Sequence, residues 1–473
     1  MLMKKITLLL MTALMSTGVM ASPSLVKKLS KSRLAKELKA TPGAFNSIQT
    51  QRQAYKAFYA GMPEKTATKL KAVSRAPEDN PLADLEPYIS PYTYMYDEIC
   101  EGYLLYNMFP AYVKIADGKA QFSLFELDPV EGVVETGDNW LSSKYGEQVD
   151  SITFNTDMVV ATGETSGKEY VMGFSTYDYD EDGRLFTTRS ESKTLGAYYF
   201  AEDGLLYIPS DIIVGIYDKD PAENEPVMAV NSLQLMPYSD IYKQILKGSY
   251  TAKDYYKEPL SGDILAWIDP WTNDNGETVY DFYVRGFDPI FDEAWLCMSQ
   301  SEDLFTATML PEQIVYSGGF YTDASRTESF DATILNIGLA ETAGSLNYSY
   351  AGTENEGEMD FFVTVDEAEN TFLLESDGES LYADYGIAEP DYYEAQTGLY
   401  DLLYDLNITI TTEHAFDGEE DAGVQGVSGS NRVQSTEYFD LQGRRVSATH
   451  KGMTVRKTRL ADGTIKSSKY IRK

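Results

Sequence analysis

An internal duplication constrains the fold of this chain more than any other feature of its sequence. Similar segments recur in the same order, at an offset of 160 residues in the first match, 156 in the second and 174 in the third. The matches are Phe122–Pro129 with Phe282–Pro289, Phe154–Val160 with Leu310–Tyr316, and Ala201–Gly204 with Glu375–Gly378. This period is far longer than a solenoid repeat, so two tandem β-domains, or two halves of one closed structure such as a propeller, would produce it.

The local pattern within each copy is that of antiparallel β-structure. Ala111–Ile115 and Phe361–Val365 exemplify short runs that are rich in β-branched and aromatic residues. Gly-containing pairs separate such runs, and glycine tolerates the positive φ that tight hairpins require. These pairs are Asp117-Gly118, Asp182-Gly183, Asp203-Gly204, Asn275-Gly276 and Asp377-Gly378. The sequence therefore predicts a mainly β protein with duplicated antiparallel β-modules, either propeller-like or tandem β-sandwiches.

Charge divides the chain into three regions. Residues 22–75 contain twelve basic and two acidic residues, residues 76–431 contain 14 basic and 69 acidic ones, and residues 432–473 contain eleven basic and three acidic ones. A body this acidic repels phosphate backbones, so we expect no nucleic acid partner. Leu25, Leu29, Leu34 and Leu38 recur at roughly helical spacing in the basic leader and predict a short amphipathic helix. A solvated, partly disordered leader is the alternative.

Together these patterns predict six segments. They are a signal peptide over 1–21, a basic, partly helical or disordered leader over 22–90, β-module copies over 91–252 and 253–412, an acidic Gly/Ser linker over 413–436, and a small β C-terminal module over 437–473.

The N-terminus predicts export. Lys4 and Lys5 precede the apolar run Ile6–Met20 and the small residue Ala21, which is the pattern of a cleaved secretory signal peptide. The run of about fifteen residues is too short for a comfortable membrane span, and no later stretch is long and apolar enough. We therefore expect a mature chain without a transmembrane segment, secreted or displayed on the outer cell surface after periplasmic transit.

The C-terminus predicts three short basic strands with Gly-containing turns between them. The sequence is YFDLQGRRV from Tyr438, KGMTVR from Lys451 and DGTIK from Asp462. This order of segments resembles the C-terminal sorting domain of proteins exported by the type IX secretion system of Bacteroidota. The resemblance covers residues 437–473 and implies the type IX secretion machinery as a partner, whereas a hairpin that only caps the fold is the alternative. The residues that carry the motif are Asp440, Gly443, Arg444, Arg445 and Gly452.

One segment suggests a cation site. Asp178, Asp180 and Asp182, followed by Gly183, place carboxylates at alternate positions in a D-x-D-x-D-G string that suits a calcium loop. Arg189 stands at the twelfth position and cannot ligate a cation, which excludes a complete EF-hand loop. A partial calcium turn and an exposed hairpin turn remain as interpretations. Calcium is the only cofactor that the sequence suggests, and none is required.

The sequence does not identify catalytic residues. His414 borders the acidic linker and His450 lies in the C-terminal module, so neither is a good base for a nucleophilic side chain. A carboxylate pair, as in glycoside hydrolysis, stays open, but no spacing selects two of the acidic residues. Histidines and cysteines show no zinc-ligand spacing. Cys100 and Cys297 are expected to form one long-range disulfide or to remain buried thiols.

Aromatic residues give the better argument for binding. Tyrosines that alternate along a strand place their rings on one face, and rings bearing polar groups stack on sugars or contact protein partners. The candidate ligand-binding residues are Tyr92, Tyr94, Tyr96, Trp267 and Trp271. Core packing is the alternative, and it is favoured for Trp140, Trp267 and Trp295.

These observations favour a secreted or surface-displayed, non-enzymatic β-repeat protein that binds glycan or host-protein ligands. A secreted glycoside hydrolase with a carboxylate pair and a structural cell-surface protein are the alternatives. A cleft holding two carboxylates roughly 5–9 Å apart would favour the hydrolase. An open row of exposed rings would favour binding, and burial of the Trp and Tyr side chains would favour the structural role.

Overall fold

The computed structural model describes residues 70–71, most of residues 81–416 and four strand segments between 433 and 472. Gaps in the 81–416 stretch are 98, 101, 164–165, 180–184, 211, 221–225, 274–275, 289, 302–303, 322–328, 342–347, 352–356, 367–370 and 389–397. The predicted signal peptide and amphipathic leader helix lie outside the described residues. The chain forms two compact units, of which the first holds the strands between residues 70 and 414 and the second those after residue 433.

Module 1 comprises the first fourteen strands, which pair into one antiparallel sheet. Their bounds are β1 (Leu70–Lys71), β2 (Glu86–Asp97), β3 (Gly102–Ala116), β4 (Lys119–Leu124), β5 (Val130–Glu135), β6 (Asp150–Asn155), β7 (Val159–Gly163), β8 (Glu169–Tyr179), β9 (Leu185–Arg189), β10 (Thr194–Phe200), β11 (Leu205–Tyr207), β12 (Ile213–Asp218), β13 (Met228–Asn231) and β14 (Gln234–Pro237). Helix α1 (Trp140–Tyr145) connects β5 to β6, and helix α2 (Tyr238–Tyr242) follows β14. Neither described helix has the length and hydropathy needed to cross a membrane.

Eight strands of module 1 close into a ring. The ring order is β2-β3-β4-β5-β6-β10-β11-β14, and β14 returns to β2 through the pairs Met236↔Ile89 and Pro237↔Tyr88. Neighbours in the ring are mostly neighbours in the chain, because short turns join antiparallel strands. Two groups of strands, which we call excursions, leave the ring between consecutive ring strands. The first is β7 to β9, after β6, and the second is β12 and β13, before β14. They pair in the order β7-β8-β12-β13, and β13 pairs with β2.

Module 2 comprises the next twelve strands. Their bounds are β15 (Leu246–Lys253), β16 (Pro259–Thr272), β17 (Thr278–Arg285), β18 (Leu296–Gln300), β19 (Thr306–Met309), β20 (Ile314–Tyr321), β21 (Ser329–Glu341), β22 (Tyr348–Tyr350), β23 (Met359–Asp366), β24 (Thr371–Ser376), β25 (Ser380–Ala388) and β26 (Gly398–His414). Its ring runs β15-β16-β17-β18-β19-β23-β24-β26, and β26 returns to β15. The excursions here are β20 to β22 and β25.

The two modules share one topology. Each has five consecutive ring strands, a three-strand excursion, two more ring strands, a second excursion and a closing strand. Phe122 in β4 and Phe282 in β17, which the first sequence match pairs, occupy equivalent strands and are fully buried. The structure thus confirms a mainly β chain with duplicated antiparallel modules in tandem, each built around a closed ring.

A residue with a positive φ angle stands at the same topological point in both modules. Ser232 (φ 59°) separates β13, which belongs to an excursion, from β14, which closes the ring. Asp405 (φ 49°) lies in β26 between the part that pairs with β25 and the part that pairs with β24. Left-handed backbone is uncommon for non-glycine residues, and here it accompanies the point where one strand changes partners.

The structure corrects the third sequence match. Ala201–Gly204 connects β10 to β11, whereas the Asp377-Gly378 pair connects β24 to β25. By topology β24 is the counterpart of β11 and β25 that of β12, so the two turns are not equivalent. Asp-Gly occurs in both because tight turns favour it, which is a local requirement and not a trace of duplication.

Each ring is filled by its own apolar cluster. In β23, Met359, Phe361 and Val363 are buried inside the ring of module 2, and the residues between them are exposed. This alternation follows from the two-residue period of a strand with one face towards a core. Another cluster joins the modules, with Ile89 and Met108 of module 1 packed against Trp267, Tyr283 and Cys297 of module 2.

The second unit contains a four-stranded antiparallel sheet in the order β28-β27-β29-β30. The bounds are β27 (Val433–Phe439), β28 (Arg445–Val446), β29 (Gly452–Leu460) and β30 (Ile465–Arg472). The sequence predicted three strands in this region, and the sheet has one more because Arg445–Val446 folds back onto β27 through the pairs Tyr438↔Val446 and Phe439↔Arg445.

Candidate ligand-binding surface

The predicted tyrosine row lies on β2, and its rings pack against one another. The Tyr92 and Tyr94 hydroxyls are 2.8 Å apart, and their rings meet edge to face at 5.4 Å. Tyr94 is 4% exposed, and burial raises the pKa of both hydroxyls. Tyr96 packs on Tyr103 with ring centroids 5.5 Å apart. These rings do not form an open row on which a ligand could stack.

Trp267 and Trp271 lie four residues apart on the same face of β16. Trp267 is 3% exposed, and its ring centroid lies 5.2 Å from that of Tyr283 in the cluster between the modules. Trp271 is half-buried near the end of the same strand. Trp267 therefore packs in the core, as the alternative interpretation favoured.

The structure leaves most of the predicted calcium and sorting residues undescribed. Asp178 belongs to β8, but its side chain, like the whole of Asp180 and Asp182, lies outside the described residues. Asp440, Gly443 and Arg444 also lie outside them, whereas Arg445 begins β28 and Gly452 begins β29. Among the residues that are described, no group of three or more His, Cys, Asp or Glu side chains is arranged to hold a metal ion.

Two carboxyl groups meet on the face of module 2 that carries Trp267. Asp269 in β16 and Asp281 in β17 are direct cross-strand partners. Burial raises the pKa of Asp269 well above its usual range, and the neighbouring Asp281 raises it further. Burial also raises the pKa of Asp281 to about 6, while the Ser299 hydroxyl and the Trp271 indole act in the opposite direction. Both carboxyl groups are therefore harder to ionise than carboxyl groups in water.

This pair does not have the arrangement of a glycosidase. Asp269 is 3% exposed, and Tyr92 of module 1 lies close enough for its hydroxyl to interact with Asp281. Glycoside hydrolysis needs carboxyl groups on either side of a cleft that admits the sugar. Asp269 is buried and Asp281 half-buried, and as direct neighbours on adjacent strands they do not lie on opposite sides of a cleft. Cys297, on the adjacent strand β18, is buried, and Cys100 and Cys297 are not joined by a disulfide.

A second buried acid cluster lies inside module 2. The Tyr382 hydroxyl is 2.7 Å from Asp384 Oδ1 and 3.0 Å from Asp288 Oδ2. Burial raises the pKa of Asp384 well above its usual range, and Asp288 raises it further. Asp288 Oδ1 accepts the backbone N–H groups of Ile290 and Phe291, each at 2.7 Å. These bonds hold the connection between β17 and β18, so the cluster organises a loop.

An exposed indole stands out on module 1. Trp140, the first residue of α1, is 51% exposed. Its Nε1 donates a hydrogen bond of 3.2 Å to the Tyr198 hydroxyl, and the two rings meet edge to face at 6.3 Å. The Lys144 ammonium lies 5.5 Å from the Trp140 ring centroid and 5.3 Å from that of Tyr145. We call Trp140, Lys144, Tyr145 and Tyr198 the Trp140 surface.

Local sequence holds α1 in place although the helix is short. The Asn139 side chain accepts the Ser142 N–H at 3.0 Å, which caps the first turn, and Gly146 ends the helix at φ 67°. Leu141 is buried against ring strands β10 and β11, where it meets Phe200 and Tyr207. The Trp140 ring is thus presented by a capped and anchored segment.

Acidic groups adjoin this surface. Partial burial raises the pKa of Glu147, which follows α1, and the nearby Asp203 and Glu202 raise it further. Lys144 lies over the Trp140 ring, and Glu147 follows the helix that carries this ring. An indole face with polar groups at its rim is suited to stack on a sugar ring and hydrogen-bond its hydroxyls.

Sequence reasoning placed Trp140 in the core, and the structure shows that this was wrong. The signals that could have identified it were Asn139 and Gly146 as helix caps around a six-residue segment whose buried residue is Leu141. The second copy gives the same hint, because its connection between β18 and β19 is only five residues long, from 301 to 305. An insertion found in one copy alone is a candidate for function.

No family model matches this chain, and no curated protein matches it.

Proposed function

We propose that this chain is a secreted or surface-displayed, non-enzymatic binding protein that recognises carbohydrate through the Trp140 surface. The observation that carries the proposal is the half-exposed Trp140 ring, fixed by the Tyr198 hydrogen bond and flanked by Lys144. The exposed half of this large aromatic ring adds little to packing and is open to a ligand, since only buried apolar surface stabilises the fold.

Carbohydrate fits this surface better than a large apolar protein interface. The exposed ring is single and surrounded by charged groups of both signs, whereas a protein interface centre is depleted of charge. The acidic body, with 14 basic and 69 acidic residues over 76–431, also favours a neutral or cationic ligand over an anionic one. The hydrolase alternative is weakened because Asp269 is buried and lies directly opposite Asp281 on the neighbouring strand, not across a cleft from it.

The test starts from a glycan array probed with the chain from Ser22 onwards, in calcium and in EDTA. A hit is then titrated by tryptophan fluorescence, since Trp140 is the most exposed of the tryptophans. We expect Trp140→Ala to weaken binding at least about tenfold, which is a loss of roughly 1.4 kcal/mol. Phe305→Ala is the matched control, because Phe305 is an aromatic residue that is 71% exposed on module 2.

Each result decides between the candidate functions. Loss of binding in Trp140→Ala with retention in Phe305→Ala supports the proposal. Binding that survives Trp140→Ala places the ligand elsewhere, and an array without any hit favours the structural role. Dependence on calcium would support the partial calcium turn at Asp178, Asp180 and Asp182, and equal binding in EDTA would count against it.

Export is a separate part of the proposal. The sheet of the second unit and its resemblance to a type IX sorting domain support outer-surface delivery. We expect removal of residues 437–473 to leave the protein in the periplasm of a Bacteroidota host, as cell fractionation would show. Delivery to the surface without these residues would contradict the sorting role.

A further inference from the structure

The outer edge of β7 in module 1 is paired with a strand from the basic leader. Leu70 lies opposite Gly163 and Lys71 opposite Thr162 in the antiparallel pair of β1 and β7. This short strand ends the sheet of module 1. Leader backbone is thus able to add to an excursion edge of this fold.

The counterpart of β7 in module 2 is β20. Both strands open the three-strand excursion, and the second sequence match pairs Val159 with Val315 and continues to Gly163 and Gly319. β20 is the last strand of its sheet, and among the described residues its only ladder is with β21. A single bridge from Leu105 to Gln313 lies just before the strand begins. Among the described residues no second strand pairs with the backbone from Ser317 to Tyr321, and the Ser317 side chain contacts Asp97 at the end of β2, 3.3 Å from its Oδ2 atom.

The sequence of β20 does nothing to protect this edge. Ile314–Tyr321 reads IVYSGGFY and contains neither a charged residue nor a proline. Natural proteins usually blunt an exposed edge with lysine, proline or a covering segment, because unpaired backbone groups recruit another strand. In module 1 that covering segment is β1, and module 2 has no described equivalent.

We propose that the outer edge of β20 accepts, in antiparallel register, the leader strand Leu70–Lys71 of a second copy of this chain. The equivalence with β7 sets the register, with Leu70 opposite Gly319 and Lys71 opposite Gly318. Addition of a strand to a sheet edge gains main-chain hydrogen bonds and needs little side-chain recognition.

Charge and stoichiometry point to a second copy as the occupant. The leader carries twelve basic and two acidic residues over 22–75 and is attracted by the acidic body of any copy. In every copy Leu70–Lys71 lies on its own β7, so a leader strand that pairs with β20 of a neighbouring copy has to leave that β7. The leader strand gives up its short ladder with β7 of its own chain and gains an equivalent ladder with β20 of the other chain. The association of the two copies is therefore weak and depends on protein concentration.

Disulfide trapping tests the register directly. Differently tagged chains carrying Leu70→Cys or Gly319→Cys, both in a Cys100→Ser background, are mixed in a glutathione redox buffer. We expect at least tenfold more mixed dimer than from Leu70→Cys with Thr364→Cys, whose cysteine is exposed on the ring strand β23. Lys71→Cys with Thr162→Cys in one chain is the positive control for the leader on β7. Trapping at Gly319 no greater than at Thr364 would overturn the proposal.

Hydrogen exchange is a second test of whether the β20 edge is occupied, and it does not require the cysteine variants to fold. We expect the amides of Ser317–Tyr321 to exchange more slowly as protein concentration rises, and deletion of residues 66–75 to abolish that effect. Exchange that is independent of concentration, or protection that survives the deletion, would show that another segment or no segment occupies this edge.

Discussion

The side-chain amide of Asn107 in module 1 donates a hydrogen bond of 2.6 Å to the Oε1 atom of Gln313 in module 2. The same Oε1 accepts the Cys297 N–H at 2.8 Å, and the Gln313 Nε2 donates to the carbonyl oxygens of Cys297 and Leu310, each at 2.9 Å. Gln313 is fully buried, so one side chain satisfies polar groups of both modules where no water reaches.

Gln313→Ala should destabilise the two-module body by about 3 kcal/mol, because several buried donors and acceptors lose their partner at once. Urea unfolding measures the change. Gln244→Ala is the matched control, since the exposed Gln244 side chain donates one hydrogen bond, to the Asp240 carbonyl at 2.9 Å. Equal stability of the two variants would show that the Gln313 network contributes nothing to the fold.

The Asp269–Asp281 pair makes stability depend on pH. The folded-state pKa of Asp281 is raised to about 6, so the unfolded chain ionises first and stability falls as pH rises from about 4 to 7. Asp281→Asn removes the contribution of Asp281 and leaves the part of the Asp269 shift that comes from burial. The free energy of unfolding of Asp281→Asn, relative to that of the parent chain, should therefore increase by about 3 kcal/mol between about pH 4 and pH 7.

Thermal unfolding at several pH values between 4 and 8 tests this expectation. Asp157→Asn is the control, because Asp157 is an exposed carboxyl group whose ion pair with Lys193 is 3.2 Å long. A pH dependence unaltered by Asp281→Asn would mean that Asp281 ionises as it does in water.

The two tryptophans should differ in their effect on stability. Trp267→Ala removes a ring buried between the modules and should cost about 3–5 kcal/mol. Trp140→Ala removes a half-exposed ring and should cost less than about 1 kcal/mol. Denaturant midpoints of the two variants give the comparison, and a large loss with Trp140→Ala would show that its ring has a packing role.

Closure of the second ring should be sensitive to one glycine. Gly248 lies in β15 where it pairs with β26, and a Cβ atom there would clash with the Thr409 carbonyl oxygen and the Ile264 side chain. Gly248→Ala should therefore destabilise by about 1–3 kcal/mol. Gly196→Ala on β10 is the control, because a Cβ atom at that position meets nothing within 4 Å. Equal unfolding midpoints would show that the ring relaxes without cost.

The β class could be predicted from the sequence, because alternating apolar residues and Gly-containing turn pairs are local patterns. The duplication could be predicted because Phe122 and Phe282 lie in matching sequence segments and in equivalent strands. Ring closure could not be predicted, since it depends on which edge of β2 or β15 meets a strand roughly 150 residues later. Ser232 and Asp405 carry no turn motif that marks them as points of partner exchange. The Trp140 surface was missed because tryptophan usually packs in the core. Only the tertiary structure shows that α1 buries Leu141 and leaves Trp140 exposed.

The long closing strand β26 has a mechanical consequence. Its residues 398–403 pair with β25 and its residues 407–411 with β24, while β15 lies along its other edge. A pull on the chain beyond His414 would act along this strand, parallel to its neighbours. The hydrogen bonds on both edges would then have to shear together instead of opening one after another. A protein tethered through its C-terminal residues and pulled by a bound ligand would therefore transmit force through a strand that is hydrogen-bonded along both edges.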